Sequence, residues 1–442
     1  MKKVLIIAYY FPPLGWSGVQ RTLKFVKYLK DFGWQPIVVT VGKTRFSISD
    51  KSLLNEIPED VEVIRIDDVK FKDITDEIKE RMREYSKYSF NIISDENLKV
   101  EYEKEIESTL EKLRNLFLLP DGNAVWANNV VREISNRINL NNISIVYTTS
   151  APYSTHLVGY YLKKYYKLPW IADFRDEWTN NPYYNFDVKN IRYKIEKNLE
   201  KSLIDFSDKI ITTTSMARDN YIKLFNLHQN KAITITNGYD EEDYMLLNHS
   251  KVNAKFSVVS NGSFYLDRNP YTFLKAIKNI LRMKLIKEDD IEIIFIGTIE
   301  NEIKNNIEAM DINNIIKYEG YMPHLKSLHK ANSANLLLLV VGREDKVKSI
   351  FPGKVFEYLR LKKPILALSP RKSVVEELLN ETKSGINVEY DDIKSIENSV
   401  LEYYNNWKYE KRFQLNENEI KKYERKNLTK KLAEIFDGIL EE

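Results

Sequence analysis

Lys354 and Glu357 stand one helical turn apart in the segment Phe351-Pro352-Gly353-Lys354-Val355-Phe356-Glu357-Tyr358-Leu359. The segment follows an apolar run expected to be a strand, and it enters what its spacing predicts to be a helix. A cation in the first helical turn opposes the helix dipole. An anionic ligand would remove that conflict. A carboxylate one turn later, on the same face, can accept hydrogen bonds from the two vicinal hydroxyls of a ribose, as acidic side chains do in dinucleotide sites. Pro352 and Gly353, in the loop leading into the helix, are counted with the ligand-binding residues. The competing reading is a surface ion pair worth about 0.2–0.5 kcal/mol.

A second segment, Gly262-Ser263-Phe264-Tyr265-Leu266-Asp267-Arg268-Asn269-Pro270, links an expected strand to a helix opened by Pro270. Free N–H groups and a partial positive charge at a helix start suit a phosphate. Gly262 and Ser263 would lie against such a ligand, and Arg268 could add a bidentate contact. An ordinary connecting loop with a surface arginine is the alternative.

Asp173-Phe174-Arg175-Asp176-Glu177-Trp178 closes another expected strand with four ionisable groups in five positions. Such groups are costly unless solvated or paired. Asp173, Arg175 and Asp176 are therefore candidates for acceptor binding, against an Asp–Arg pairing that only rigidifies the loop. His156, near a helix start, could donate to a sugar or phosphate oxygen, although a lone histidine is more often packed or capping. Gly15 and Gly18 permit close backbone approach to a ligand or shape a turn. Asp67-Asp68 resembles half of a metal-binding motif, but its charged connection reads as solvated acid.

The elements that must position these residues follow from hydrophobic periodicity. Val4–Ala8 is a continuous apolar run, as in a strand buried on both faces. Val19, Leu23, Val26 and Leu29 recur at helical spacing, Gly33 stops that helix, and Ile37–Val41 is the next strand. This is a βαβ unit, which implies a parallel sheet. The alternation resumes at Ile143–Thr148 and runs to Ala232–Thr236. A second set starts at Phe256–Val259 and includes strands at Ile291–Ile296, Ile315–Tyr318, Leu336–Val341 and Pro364–Leu368. The expectation is α/β: two Rossmann-like parallel-sheet domains facing each other across a cleft. Residues 1–250 form the first, with a charged helical insertion at about 70–115. Residues 251–415 form the second, and 416–442 a terminal helix returning to the first.

Composition excludes other classes. Lys+Arg is 67 and Asp+Glu 64, a net charge of +3, which gives no broad basic field for nucleic acid. The absence of cysteine removes disulfide scaffolds, zinc ribbons and thiol nucleophiles, and five histidines make His-rich metal clusters improbable. No run approaches the ~20 apolar residues of a membrane span. The expected location is cytoplasmic, with peripheral contact at the inner membrane face through Tyr85, Tyr88 and Phe90 of the insertion as one option.

Taken in order, these segments resemble the GT-B-fold glycosyltransferases of the large retaining family 4, in particular members acting in bacterial or archaeal surface-polysaccharide assembly. The resemblance rests on Tyr10-Phe11-Pro12-Pro13 with Gly15 and Gly18, Ala172 to Trp178, Asn237-Gly238-Tyr239-Asp240, Gly262-Ser263-Phe264, Gly320-Tyr321 and Phe351 to Leu359. It implies that the second domain binds a nucleoside-diphosphate sugar, with Glu357 on the ribose and Arg268 and Lys354 on the diphosphate. The first domain would bind a glycan or lipid-linked sugar. No cofactor and no metal are implied. Arg268, Lys354 and His156 are the catalytic candidates. The chain departs from the family pattern at Ser263, Asn269 and Ser349, and Ser150 falls nearer the family's cleft histidine than His156 does. Two other readings share the fold: a nucleotide-sugar epimerase or hydrolase, and a non-catalytic sugar-nucleotide-binding partner protein.

Overall fold

The computed structural model describes residues 1–15, 17–44, 49–68, 118–181, 190–245, 247 and 254–441, with positions 80, 100, 104, 105 and 108. The expected insertion at 70–115, with Tyr85, Tyr88 and Phe90, lies outside the described residues except at those isolated positions. The chain divides into two compact units. One comprises Met1–Thr212, Tyr221–Ile233 and Thr429–Glu442; the other comprises Thr213–Asn220 and Thr234–Leu428.

Among the described residues, unit 1 holds a seven-stranded sheet in the order β3-β2-β1-β4-β5-β6-β7. Its strands are β1 (Lys2–Ile7), β2 (Trp34–Val41), β3 (Glu62–Ile66), β4 (Ile145–Ser150), β5 (Trp170–Phe174), β6 (Lys209–Thr212) and β7 (Ala232–Thr234). The pairings from β3 through β6 are parallel. The end of the C-terminal helix Arg425–Glu441 belongs to this unit. Phe436 packs edge-on against Trp34 and Tyr147, and Lys2 pairs with Asp437 at 2.8 Å.

Unit 2 holds a six-stranded sheet in the order β10-β9-β8-β11-β12-β13, parallel throughout. Its strands are β8 (Phe256–Asn261), β9 (Ile291–Ile296), β10 (Ile316–Gly320), β11 (Leu336–Val340), β12 (Ile365–Leu368) and β13 (Gly385–Val388). Alternate side chains feed two cores. Val258, Ile293, Leu336 and Leu338 pack with Phe273, Ile277 and Ile280 of the helix Tyr271–Arg282. Val259, Ile294, Leu337 and Leu339 pack with Leu328, Val355, Phe356 and Leu359, from the helices His324–Asn332 and Lys354–Leu361.

Renumbered from its first strand, each sheet contains the order 3-2-1-4-5-6 of a dinucleotide-binding fold, and ligands of such sheets bind beyond the carboxyl ends at the strand-order reversal. In unit 2 the reversal lies between β8 and β11. Only Leu336–Leu337 pair with Val258–Val259 there, so β8 continues to Asn261 without β11 beside it. The strands part at the place where the loops carrying Gly262 and Gly342 begin.

Two strands escaped the sequence reading. β3 and β13 lie at an edge of their sheets and are part-buried or exposed except at Ile66 and Val388, with sequences EVIRI and GINV. An edge strand lacks the continuous apolar run that marks a central parallel strand.

Candidate functional site

The unit 2 site is built around Gly262. Its amide donates to the Ile296 carbonyl at 2.7 Å, which fixes the loop on the end of β9. Its φ is +141°, and a Cβ there would stand 1.7 Å from Lys354 Nζ. The position therefore excludes every other side chain. Lys354, in the first turn of the helix Lys354–Leu361, thus reaches across to the carboxyl end of β8.

Lys354 donates no hydrogen bond to any described residue, and it forms no ion pair with Glu357. This disposes of the surface ion-pair reading. Burial, reinforced by the Arg268 charge and opposed by Glu357, pushes the amine down to about 8. The fold holds these two cations close enough to repel, a cost that a bound diphosphate would offset.

Arg268 is set by its own loop. Tyr265 and Arg268 exchange backbone hydrogen bonds at 3.2 and 3.0 Å. The guanidinium donates from Nε to the Val341 carbonyl at 3.2 Å and from Nη1 to the Tyr265 hydroxyl at 3.0 Å. Arg268 thus bridges the loops after β8 and β11, across the gap where the strands part. Ser263 accepts at Oγ from the Thr298 hydroxyl at 2.7 Å. Asn269 is buried: its Oδ1 accepts from the Tyr271 amide at 3.3 Å at the helix start, and Tyr390 donates to it. A charged side chain there would lose this packing, which accounts for the neutral residue. Ser349 is also buried. Pro352 is buried and Gly353 exposed at the N-cap of the lysine's helix.

Glu357 points elsewhere. Its Oε1 lies 3.0 Å from His324 Nε2. Sequence reasoning did not select His324; the only signal was a Pro-His step opening a helix soon after Gly320-Tyr321. Gly262, Arg268, Lys354 and Glu357, read from two separate segments, come together with His324 beyond the carboxyl ends of the central strands of this sheet.

The unit 1 candidates divide differently. Asp173 was expected to face a ligand beside Arg175. Instead it is fully buried, and Arg21 of the helix Ser17–Tyr28 grips it with both arms, Nε to Oδ2 at 3.0 Å and Nη2 to Oδ1 at 2.9 Å. The Thr149 hydroxyl donates to Oδ2 at 2.8 Å. Burial raises this carboxyl, but the Arg21 charge and the hydrogen bonds outweigh it and hold it below its ordinary value. Arg175 pairs with the exposed Asp176 at 3.3 Å, so these two remain at the end of β5.

His156 is likewise corrected. It is 0% exposed in the helix Thr155–Tyr166, with Nδ1 2.8 Å from the Thr148 hydroxyl and its ring 4.5 Å from that of Phe174. Burial lowers it to about 3, so it is neutral and cannot serve as an accessible acid. Gly15 packs against Asp50, whose N and Cβ would each meet an added Cβ at 2.9 Å. Its close approach is to protein. Gly18 is buried in the first turn of its helix.

The loop after β5 is anchored from behind by acids that were not singled out. Trp178 Nε1 donates to Glu196 at 3.0 Å; the Thr179 amide and the Tyr221 hydroxyl donate to Glu200 at 3.2 and 2.9 Å. Both glutamates lie on the helix Ile191–Phe206. Burial pushes Glu200 up to about 7. No helix among the described residues is long and apolar enough to cross a membrane.

Residues 80–243 match the family model described as Glycosyltransferase Family 4, and residues 248–422 match that of Glycosyl transferases group 1. No curated protein matches the sequence. Among solved structures, a glycosyltransferase from Rickettsia africae ESF-5 is similar with a TM-score of 0.66 and 14% identity, over 99% of this chain and 98% of that one. Sucrose-phosphate synthase from Thermosynechococcus elongatus gives 0.63 and 11%, over 100% of both chains. The Anabaena protein HepE, in complex with UDP and glucose, gives 0.60 and 13%, over 99% of this chain and 100% of that one. At such identities the structural likeness speaks to the fold, and the two family matches, which together span most of the sequence, speak to the enzyme class. The chain belongs to the GT-B-fold glycosyltransferases, of the family 4 kind.

Proposed function

We propose that unit 2 binds a nucleoside-diphosphate sugar and that the enzyme transfers the sugar to a hydroxyl of a glycan or lipid-linked acceptor. The observation that carries this reading is the Lys354 amine, unpaired among the described residues, lying against Gly262 with Arg268 beside it. The diphosphate sits on these cations and on the helix start behind them, and Glu357 takes the ribose. As the bond from the anomeric carbon to the diphosphate breaks, negative charge grows on the leaving oxygen. Cations already in place stabilise that charge more than they stabilise the donor. The acceptor oxygen forms the new bond to the anomeric carbon, and its proton passes to the departing diphosphate. The same cations do the work that a metal does elsewhere, so transfer proceeds without one and without a cofactor. Family likeness further supports retention of anomeric configuration and a role in surface-polysaccharide synthesis at the cytoplasmic side of the membrane. The exposed Asp176 and its partner Arg175 contact the acceptor in unit 1.

A thermal-shift screen of nucleoside diphosphates and nucleotide sugars tests the donor half directly. A ligand of the folded state at 100 times its Kd adds about 2.7 kcal/mol of stability. At least one base is expected to raise the melting temperature, with and without a chelator present. No shift with any of them at millimolar concentration would remove the reading.

The depressed lysine makes a pH prediction. The amine is charged below about 8 and loses its proton as pH rises through that value. Diphosphate affinity should be greatest below pH 8 and weaken above it, by up to about tenfold per pH unit until the pKa of the complex is reached. Lys354→Arg, which stays charged, should flatten the profile. Titration calorimetry from pH 7 to 9.5 reads both; an affinity constant over that range in the unaltered protein would contradict the assignment.

A further inference from the structure

His324 is the group in contact with Glu357 that no sequence motif pointed to. It opens the helix His324–Asn332, and its Nε2 lies 3.0 Å from Glu357 Oε1. Its own position is fixed from the sheet. The Ser327 hydroxyl donates to the His324 carbonyl at 2.7 Å, and the Asn261 side chain donates to Ser327 Oγ at 3.2 Å. Asn261 is the last residue of β8, immediately before Gly262. On its other side Asn261 donates its amide to the Tyr358 hydroxyl at 2.7 Å, and Tyr358 follows Glu357. A closed circuit therefore runs from the end of β8 through Ser327 and His324 to Glu357, and back through Tyr358.

The hydrogen bonds of this circuit span 2.7–3.2 Å, and Phe356 and Tyr358, which flank Glu357, are buried. The Glu357 side chain is part-exposed at 24%, and that of His324, whose backbone is held by Ser327, at 36%. An exposed glutamate loses appreciable rotamer entropy when a ligand fixes it. An imidazole N–H donating to the carboxylate removes part of that cost beforehand. It occupies a single lone pair of Oε1 and leaves Oε2 open for the paired hydroxyls of a sugar ring.

We propose that His324 is a positioning residue for the nucleotide's ribose: it holds Glu357 in the rotamer that accepts from the ribose hydroxyls, and so sets the enzyme's preference for ribo- over deoxyribonucleotides. This rests on the donor-site reading above. The residue acts through Glu357 and takes no part in the bond changes.

Affinities for UDP and GDP, each beside its 2′-deoxy form, test it in the full chain. In the unaltered protein the ribo form should bind more tightly. His324→Ala should weaken the ribo form about five- to tenfold, the scale of one well-placed hydrogen bond, and leave the deoxy form within twofold. His324→Gln, which keeps an N–H donor, should recover most of the difference. In turnover the loss should appear in KM for the donor, with kcat little changed. Equal weakening of ribo and deoxy ligands by His324→Ala, or no weakening of either, would overturn the proposal. Glu357→Ala separates the two levels. If it abolishes ribo–deoxy discrimination while His324→Ala does not, the donor site stands and only the role of His324 fails. If Glu357→Ala also leaves discrimination intact, the donor-site reading itself fails.

Discussion

Lys354→Ala should lower turnover about 10²–10³-fold, equivalent to about 2.7–4 kcal/mol of transition-state stabilisation, while the protein stays folded. Both halves of that expectation follow from the same geometry. The amine lies against Gly262 and donates to no described side chain or carbonyl, so its loss leaves no buried acceptor unsatisfied. Folding already works against its charge, as the fall to about 8 shows. Removing it relieves repulsion with Arg268, and thermal stability without ligand should be unchanged or slightly higher. Activity should fall because the site then has one cation left to face a leaving diphosphate. Arg268 cannot move to compensate, since the Val341 carbonyl and the Tyr265 hydroxyl hold its guanidinium. Steady-state rates at saturating donor, beside a melting curve, read the two effects separately. Near-normal turnover would remove Lys354 from the chemistry; unfolding would show that the lysine is a structural strut.

The contrast between the two units explains what could be read from sequence. Lys354 and Glu357 were legible because a helix period is local: three residues of spacing put them on one face. Gly262 and Arg268 were legible because a strand followed by a glycine loop and a helix start is again local. The identity of each partner was not. Glu357 could have met Lys354 on its own helix, yet it meets His324, 33 positions away. His156 and Asp173 were misread for the same reason. A histidine fits either side of the stripe of an amphipathic helix, and the rotation of the helix Thr155–Tyr166 against Trp170 and Phe174 decides which. Asp173 sits at the end of a buried strand, where pattern predicts only that a charge needs a partner. Its nearest candidate in sequence was Arg175; the one chosen by the fold, Arg21, is 152 residues distant.

That distant pair carries the largest expected effect on stability. Asp173→Ala should cost about 3–5 kcal/mol, because it strands the Arg21 charge in a region with 1% exposure and takes the acceptor from the Thr149 hydroxyl. Replacing both partners with apolar residues, Arg21→Met with Asp173→Leu, should cost much less than either single change. A buried pair removed whole leaves no uncompensated charge, whereas half a pair does. Urea unfolding followed by fluorescence and circular dichroism measures the difference, with unit 1 expected to melt first in the single variant. The sign with pH is also fixed. A carboxyl held below its ordinary value contributes its stability above the unfolded pKa, near 3.9, and loses it as pH falls through the folded one. The unaltered protein should therefore lose stability in acid more steeply than the double variant. The consequence for function is indirect and specific. Asp173 begins the turn that presents Arg175 and Asp176, so the single variant should impair acceptor use before it affects nucleotide binding in unit 2. A loss below about 1 kcal/mol in Asp173→Ala would mean that water reaches Arg21, and that the turn is held by the Glu196 and Glu200 contacts instead.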